Sequence, residues 1–311
     1  MSSLDLITGA ARLLRERGPR DTYHEARAFI REAALRKYHS KTGRVEQGTP
    51  IYDQDWDLLV VLDACRVDFL REVAPEFDFL PEVNERTSVG SYSLSWMQRN
   101  FVEEYTDEMA ETVHVTGNPF SETALDPNEF RRLEEVWRYS WDEDVGTIRP
   151  RALTDTAISL AREMDPNQMI VHYMQPHAPF TTAPELQRGP KATDWADATD
   201  KSIWMRVRQG EVSLDRARQA YREELRMVLN EVEVLLNNVD ANVAIVTADH
   251  GEAMGESGIY GHARGVAIDS LRQVPWAPTT AEDRGTHNPI DHRGDASGVQ
   301  GDRLRDLGYL E

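Results

Sequence analysis

The chain has a single cysteine, four lysines and no long apolar run, and each shortage removes a class of protein. Cys65 alone excludes an internal disulfide framework and any cysteine-based zinc cluster. No stretch approaches the roughly 20 apolar residues that a membrane-crossing helix requires. The first residues, MSSLDLITGAARLLRERG, are too charged and too short in apolar run for a signal peptide. No Asn-x-Ser/Thr acceptor occurs, which speaks against a glycosylated surface protein. There is no P-loop, no dinucleotide glycine fingerprint and no H-E-x-x-H zinc helix. These absences predict a cytoplasmic protein, with peripheral membrane contact left open.

Positive charge is scarce too. Against 54 acidic side chains stand 35 basic ones, a formal net charge of -19. Of those 35, Lys37, Lys41, Lys191 and Lys201 are the lysines, so the remaining 31 are arginines. General nucleic-acid binding needs basic patches that displace counterions from phosphates, and a polybasic membrane anchor needs them too; neither is expected. Abundant carboxylate with little lysine resembles the proteome of an extreme halophile, which predicts a haloarchaeal source. At about molar salt the Debye length falls to about 3 Å and screens self-repulsion among surface carboxylates. On that reading the charge reports habitat and says nothing of substrate.

What is present fits a folded enzyme-sized domain. The 311 residues include seven Trp, ten Tyr and eight Phe, too many for a disordered chain. Residues 4–16 and 21–38 carry Leu, Ile and Ala at helical spacing around a Gly18-Pro19 break, and read as an N-terminal helical extension over 1–50. The main domain is expected over 51–311. DLLVVLDAC at 57–65, QMIVHYM at 168–174 and NVAIVTADH at 242–250 are continuous apolar runs, as expected of buried parallel strands. Helical patterns at 152–164 and 213–238 precede the second and third. Strands alternating with helices predict an α/β fold, a parallel sheet covered on both faces. The stretch 181–210 reads as a long active-site loop or lid, and 277–301 as irregular and exposed.

Chemistry in such sheets gathers beyond the carboxyl ends of the strands. Three such ends carry Asp63, His177 and the pair Asp249-His250. In TADHGEAMGESGIYGHARG, 247–265, an Asp and a His stand where a buried strand stops, beside Gly251, which permits a sharp turn. They offer an oxygen and an imidazole nitrogen to a divalent ion. His262 follows 12 residues after His250 in a glycine-flanked turn and can point back to the same place.

The string ADHGEAMGESGIYGH resembles the metal-binding signature of the alkaline phosphatase superfamily, above all its sulfatase-like branch and the phosphoethanolamine and phosphoglycerol transferases. The resemblance runs from about residue 55 to the end, where LRDLGYLE is similar to a sulfatase C-terminal tail. It implies a three-layer α/β/α sandwich and a metal-dependent phospho- or sulfo-ester hydrolase or transferase. Within it, Asp63 in VVLDACR matches the aspartate ligand that ends the first core strand. A hydroxyl nucleophile is expected at the start of the next helix, in TSVGSYSLSWMQRNF. Ser93 is the first candidate, with Ser91 and Thr87 as alternatives. The metal set is then Asp63, Ser93, Asp249 and His250, holding Mn²⁺ or Zn²⁺ in preference to Ca²⁺ or Mg²⁺.

HYMQPHAPF at 172–180 resembles a further segment of these families. It gives His177 a role at the substrate phosphoryl group or a second metal, shared with His262, which is also placed to protonate the leaving group. Arg66 is a candidate for substrate binding beside an ordinary salt bridge with Asp68. His172 reads as a core histidine, and His287 and His292 as possible further ligands. The oxidisable Cys/Ser-x-Pro/Ala-Ser-Arg motif of true sulfatases does not occur, so a plain hydroxyl acting on a phosphate ester or diester is expected. The alternatives are a sulfuric ester hydrolase, or a degenerate binding member of the fold in envelope glycan assembly. The expected partner is a small-molecule, lipid or glycan ester.

Overall fold

A computed structural model describes residues 29–142, 144–187 and 202–295. The expected helix at 4–16, residues 188–201 of the expected 181–210 loop and the LRDLGYLE tail lie outside the described residues, and Ile203–Arg208 of that stretch is helical. Seven strands form the central sheet: β1 Leu58–Leu62, β2 Asn84–Thr87, β3 Thr112–Thr116, β4 Arg132–Glu135, β5 Gln168–Tyr173, β6 Ala241–Thr247 and β7 Gln273–Ala281. Their order across the sheet is β2-β7-β6-β1-β5-β3-β4. From β6 to β4 every pairing is parallel, while β7 runs antiparallel to both β6 and β2. Two antiparallel steps return β2 to the common direction, so every strand but β7 ends at one edge.

The three apolar runs become the buried middle of this sheet. β1 is buried along its whole length, with Leu62 opposite Tyr173 on one side and Val61 opposite Thr247 on the other. Both faces of the sheet are covered. One core gathers Leu58, Val60, Leu62, Tyr173, Tyr221 and Val246, and the other gathers Leu59, Val61, Trp96, Met97, Ile170 and Ile245. Odd and even residues of β1 thus feed opposite layers, as the pleat requires. The principal helices are α1 over 29–41, α2 Val67–Val73, α3 Ser93–Asn100, α4 Pro150–Met164, α5 Ile203–Arg208 and α6 Leu214–Leu236. The longest, α6, starts at Ser213, whose hydroxyl accepts from the Arg216 amide, and it buries Tyr221, Leu225, Val228, Leu229 and Val232. The architecture is a three-layer α/β/α sandwich with a mostly parallel sheet.

The stretch 277–301 departs from expectation in its first part: 277–281 belongs to β7. Pro275 and Pro278 in QVPWAPTTA hide that strand in the sequence, because proline lacks a ladder donor. β2, β3 and β4 are short and carry Asn, Glu, Arg, His or Thr, so they lack an apolar run to announce them. Helix α1 is tied to the 257–267 segment. Arg31 donates to the Ser257 carbonyl, Arg36 to the Arg264 carbonyl, and His39 Nδ1 accepts from the Ala267 amide. Leu35 adds an apolar contact there, whereas Phe29, Ile30 and Tyr38 stay exposed.

Candidate active site

Five strand ends converge at one edge of the sheet. β1 delivers Asp63, β3 Asn118, β5 His177 and β6 Asp249-His250, while the turn after β2 leads into Ser93 at the first position of α3. Close packing holds the two turns in place. A Cβ on Gly251 would meet the Ser270 carbonyl oxygen at 2.2 Å, and one on Gly90 would meet the Trp96 amide nitrogen at 2.5 Å. Ala64 takes the left-handed conformation (φ 58), which points its amide at Asp249 Oδ1, 3.1 Å away. An alanine there costs about 1–2 kcal/mol, offset by locking the ends of β1 and β6 together.

The central cluster is Asp63, Ser93, Asp249 and His250, all buried. The imidazole of His250 donates from Nδ1 to the Gly251 carbonyl at 2.7 Å, an oxygen that can only accept, so Nε2 is the free ligand nitrogen. Around Nε2 lie Ser93 Oγ at 3.3 Å, Asp63 Oδ1 at 3.4 Å and Asp249 Oδ2 at 3.4 Å. Ser93 Oγ is also 3.2 Å from Asp63 Oδ2, which accepts from Asn118 Nδ2 at 2.8 Å. Asp63 Oδ1 and Asp249 Oδ2 have no hydrogen-bond partner.

Two buried carboxylates, each with an orphaned oxygen aimed at one imidazole nitrogen, are costly without a cation. The charges respond to one another. Burial disfavours the imidazolium, but Asp249 and Asp63 outweigh it and push His250 up to about 10. Burial likewise opposes the Asp249 charge, and His250 with His172 holds that carboxyl well below the usual range. In the metal-free chain a proton thus occupies the position a divalent ion would take. The donor set, two carboxylates, an imidazole and a hydroxyl, fits a divalent ion that accepts mixed oxygen and nitrogen ligands.

A second group stands beside the first. His177, Glu252 and His262 also bring ligand-type atoms close enough to share an ion. The His262 ring centroid is 4.8 Å from that of His250 and 5.0 Å from that of His177. Glu252 is committed elsewhere: Oε1 faces His262 Nδ1 at 3.2 Å and Oε2 accepts from Trp204 Nε1 at 2.8 Å. A carboxylate on Nδ1 leaves His262 Nε2 turned to the site. His177 stands between two cis X-Pro bonds, Gln175-Pro176 and Ala178-Pro179, with Nδ1 buried and unpartnered. Burial lowers its pKa, with Asp63 opposing and His262 reinforcing, which favours the neutral imidazole.

The structure thus brings Asp63, Ser93, His177, Asp249, His250 and His262 to one place. It keeps others away. Arg66 commits its guanidinium to Asp68 at 2.8 Å, Glu256 at 2.7 Å and the Glu252 carbonyl at 2.8 Å, so it braces the 252–256 segment. His287 and His292 bind Asp155 instead. Thr87 lies in β2, where its hydroxyl accepts from Gln273. The N-cap position of α3 is Tyr92, so the Ser93 hydroxyl, at the first helical position, does not cap the helix. Cys65 packs beneath β1, and burial pushes its thiol pKa up.

His172 is a core histidine, but an unsatisfied one. Neither its nitrogens nor those of His114, stacked 6.4 Å away at 9°, have a hydrogen-bond partner, and His172 Nε2 is 3.7 Å from Asp249 Oδ2. Asn118 and Glu252 are site residues that sequence reasoning missed. The Glu in ADHGE and the Gly-Asn closing TVHVTGN were the available signals.

No curated protein matches the chain. Among solved structures it is similar to the soluble domain of lipooligosaccharide phosphoethanolamine transferase A from Neisseria meningitidis, at 14% identity, TM-score 0.46, and coverage of 76% of this chain and 79% of that one. It is also similar to a 2-O GAG sulfatase, at 14% identity and TM-score 0.46, covering 76% of this chain and 66% of that one. A third is the C-terminal periplasmic domain of EcEptC from Escherichia coli in complex with Zn, at 12% identity and TM-score 0.43, covering 79% of each chain. Among the described residues no helix is long and apolar enough to cross a membrane. The family model for sulfatases matches residues 76–280, well over half of the chain, and the chain belongs to the sulfatase family.

Proposed function

We propose that this sulfatase-family chain is a metal-dependent phosphate-ester or phosphodiester hydrolase or transferase with Ser93 as its nucleophile. The observation that carries the reading is the position of Ser93 Oγ, 3.2 Å from Asp63 Oδ2 and 3.3 Å from His250 Nε2, against two orphaned carboxylate oxygens. Asp63, Asp249, His250 and Ser93 would hold Mn²⁺ or Zn²⁺, which supplies Lewis-acid polarisation and a lowered hydroxyl pKa when bound.

The chain's own groups do the rest. Asn118 fixes the Asp63 carboxylate, and the Ala64 amide fixes that of Asp249. The Ser93 oxygen forms the new bond to phosphorus as the bond to the leaving oxygen breaks, and its proton passes to solvent. His262, oriented by Glu252, gives a proton from Nε2 to the leaving oxygen. His177 binds a phosphoryl oxygen beside it. Water or an acceptor alcohol then takes the phosphoryl group from Ser93. A hydroxyl nucleophile favours phosphate over sulfate, because the motif that yields formylglycine is missing. The division into an extension over 1–50 and a catalytic domain over 51–311 belongs to the same proposal, as does adaptation of the acidic chain to molar salt.

The test is acid-quench trapping with an aryl phosphate or phosphodiester on protein loaded with Mn²⁺ or Zn²⁺. A phosphoryl adduct on Ser93 is expected, and Ser93→Ala is expected to lose about 10³-fold or more in turnover. An adduct on Ser91 or Thr87 reassigns the nucleophile. Undiminished turnover by the triple alanine variant at 87, 91 and 93 ends the covalent mechanism.

A further inference from the structure

Among the described residues most guanidinium groups face carboxylates: Arg71 pairs with Glu85, Arg151 with Glu231, Arg162 with Asp283, Arg222 with Glu72 and Arg226 with Glu76. Arg99 and Arg272 do not. Arg272 is 3% exposed, and its donors go to the backbone carbonyls of Ser88, Arg44, Val45 and Gln47. Arg99 donates to the carbonyls of Val45 and Val89. Among the described residues neither forms a salt bridge. Carbonyls satisfy donors but leave the charge in place, so two cations stand together with no anion paired to them among the described residues.

Their charge is felt nearby. Burial, then Arg44 and Arg272, lower the pKa of His39, and Arg272 itself is pushed down to about 10 by burial and by Arg99. Both arginines line a cavity of about 170 Å³, with Ser91, Tyr92, Ser95 and Gln98 on one side and Gly265 and Ala267 on the other. That is far more than the roughly 10–15 Å³ one water needs. Ser91, Tyr92 and Ser95 bracket Ser93, and the Gly265–Ala267 wall is the loop that follows His262. The cavity therefore adjoins the nucleophile turn, with hydroxyl, amide and guanidinium groups along its walls.

We infer that this cavity is a subsite for a second oxyanion, a carboxylate, phosphate or sulfate carried on the same molecule as the scissile ester. The inference rests on the Ser93 reading for its place in the reaction. It makes the substrate class an ester with two anionic centres, the reacting phosphoryl group and an anionic arm that reaches Arg99. Arg272 holds the 44–47 and 88–89 backbone around the cavity and supplies field. Arg99, half-buried and tied through one nitrogen, is the group placed to touch the arm.

The test compares binding of two aryl phosphodiesters that differ only in the second arm, one ending in a carboxylate and the other in its methyl ester. Calorimetry uses the full chain as Ser93→Ala, loaded with Mn²⁺, at the lowest salt that keeps it folded. The carboxylate arm is expected to bind about tenfold tighter, the size of one charge-assisted contact. Arg99→Gln should bring the ratio to about one and Arg99→Glu should invert it. Arg272 is left intact because its loss would free four carbonyls. Equal affinity for the two esters, no binding of either, or a ratio unmoved by Arg99→Glu overturns the subsite. Arg99-dependent binding of inorganic phosphate without discrimination between the esters also overturns it, in favour of a free-anion site. Failure of the Ser93 reading shows separately, as turnover that persists in Ser93→Ala.

Discussion

Two clusters in this molecule are built from the same side chains and behave as opposites. At the sheet edge, Asp63 and Asp249 face His250 across 3.4 Å, and an oxygen of each carboxylate has no partner. On α4, the buried Asp155 receives His287 Nε2 at 2.5 Å on one oxygen and His292 Nε2 at 2.7 Å on the other. The second cluster is closed, because each carboxylate oxygen has its hydrogen and nothing is left over. The first is open, with two carboxylates for one imidazole and an excess of acceptors that only a cation balances. Residue type does not separate a ligand set from a structural clamp; unsatisfied acceptors do.

The Asp155 clamp has its own logic. His287, His292 and their neighbours tie the segment after β7 across α4 and α6. His287 donates its amide to Asn238, Arg162 bridges Asp283 and the His287 carbonyl, and Arg293 reaches Glu134. These are the histidines that sequence reading offered as further metal ligands. Their partner is 132 residues from His287 in sequence, and no local pattern announces such a pairing.

The sharpest way to break the comparison is to remove a ligand from each cluster. Asp249→Asn keeps an oxygen for the Ala64 and His250 amides but replaces the orphaned Oδ2 with a donor. Metal affinity is expected to fall by more than about 100-fold, since even outer-layer partners of a metal cost about 10–100-fold. Stoichiometric Mn²⁺ or Zn²⁺ retained by this variant, measured after dialysis, would overturn the site. Both Asp249 and His250 are fully buried, so the isosteric change is the informative one and His250→Ala also opens a cavity.

The same cluster predicts a pH effect of definite sign. His250 in the metal-free chain has a pKa raised to about 10 by Asp249 and Asp63 against the cost of burial. A raised folded-state pKa gives stability that is full below the unfolded value of about 6.5 and is lost as pH climbs through 10. The melting temperature of chelator-treated protein should therefore drop between pH 7 and 10. Metal-loaded protein should show little of that drop. Parallel curves for the two forms would mean that proton and metal do not compete for this position.

At the closed cluster the expectation reverses. Asp155→Asn should leave metal content unchanged and cost roughly 1–3 kcal/mol of stability, the range for unpairing a buried hydrogen-bonded group. Loss of metal from this variant, with the fold intact by circular dichroism, would erase the distinction between the clusters.

The sheet edge was more legible in the sequence than the clamp for a physical reason. Buried parallel strands need apolar runs, and a polar residue that closes such a run is conspicuous. Asp63, Asp249 and His250 stand at the ends of LLVVL and ANVAIVT. Ser93 entered only through the resemblance, which expects a hydroxyl at the start of the helix that follows the Ser/Gly turn. Asn118 and Glu252 were not, since β3 is a short TVHVT and Glu252 is held in place by Trp204, 48 residues away. β7 was hidden by its two prolines, and the Arg99–Arg272 pair by backbone acceptors that leave no sequence signature.

Salt offers the smallest effect and separates the clusters by range. The -19 charge is spread over a surface where repulsion acts across many ångströms, so raising KCl from about 0.1 to 2 M, which shrinks the Debye length from about 10 Å to below about 3 Å, should raise the melting temperature. The Asp155 contacts act at 2.5 and 2.7 Å, inside any screening length, with the carboxylate out of solvent. The stability difference between the parent chain and Asp155→Asn should then hold constant within about 0.5 kcal/mol across that range, as expected for a local interaction independent of the distributed field. A melting temperature flat in salt would remove the case for adaptation to brine. A difference that shrinks as salt rises would show that the clamp works through long-range charge, and the two clusters would then differ in degree rather than kind.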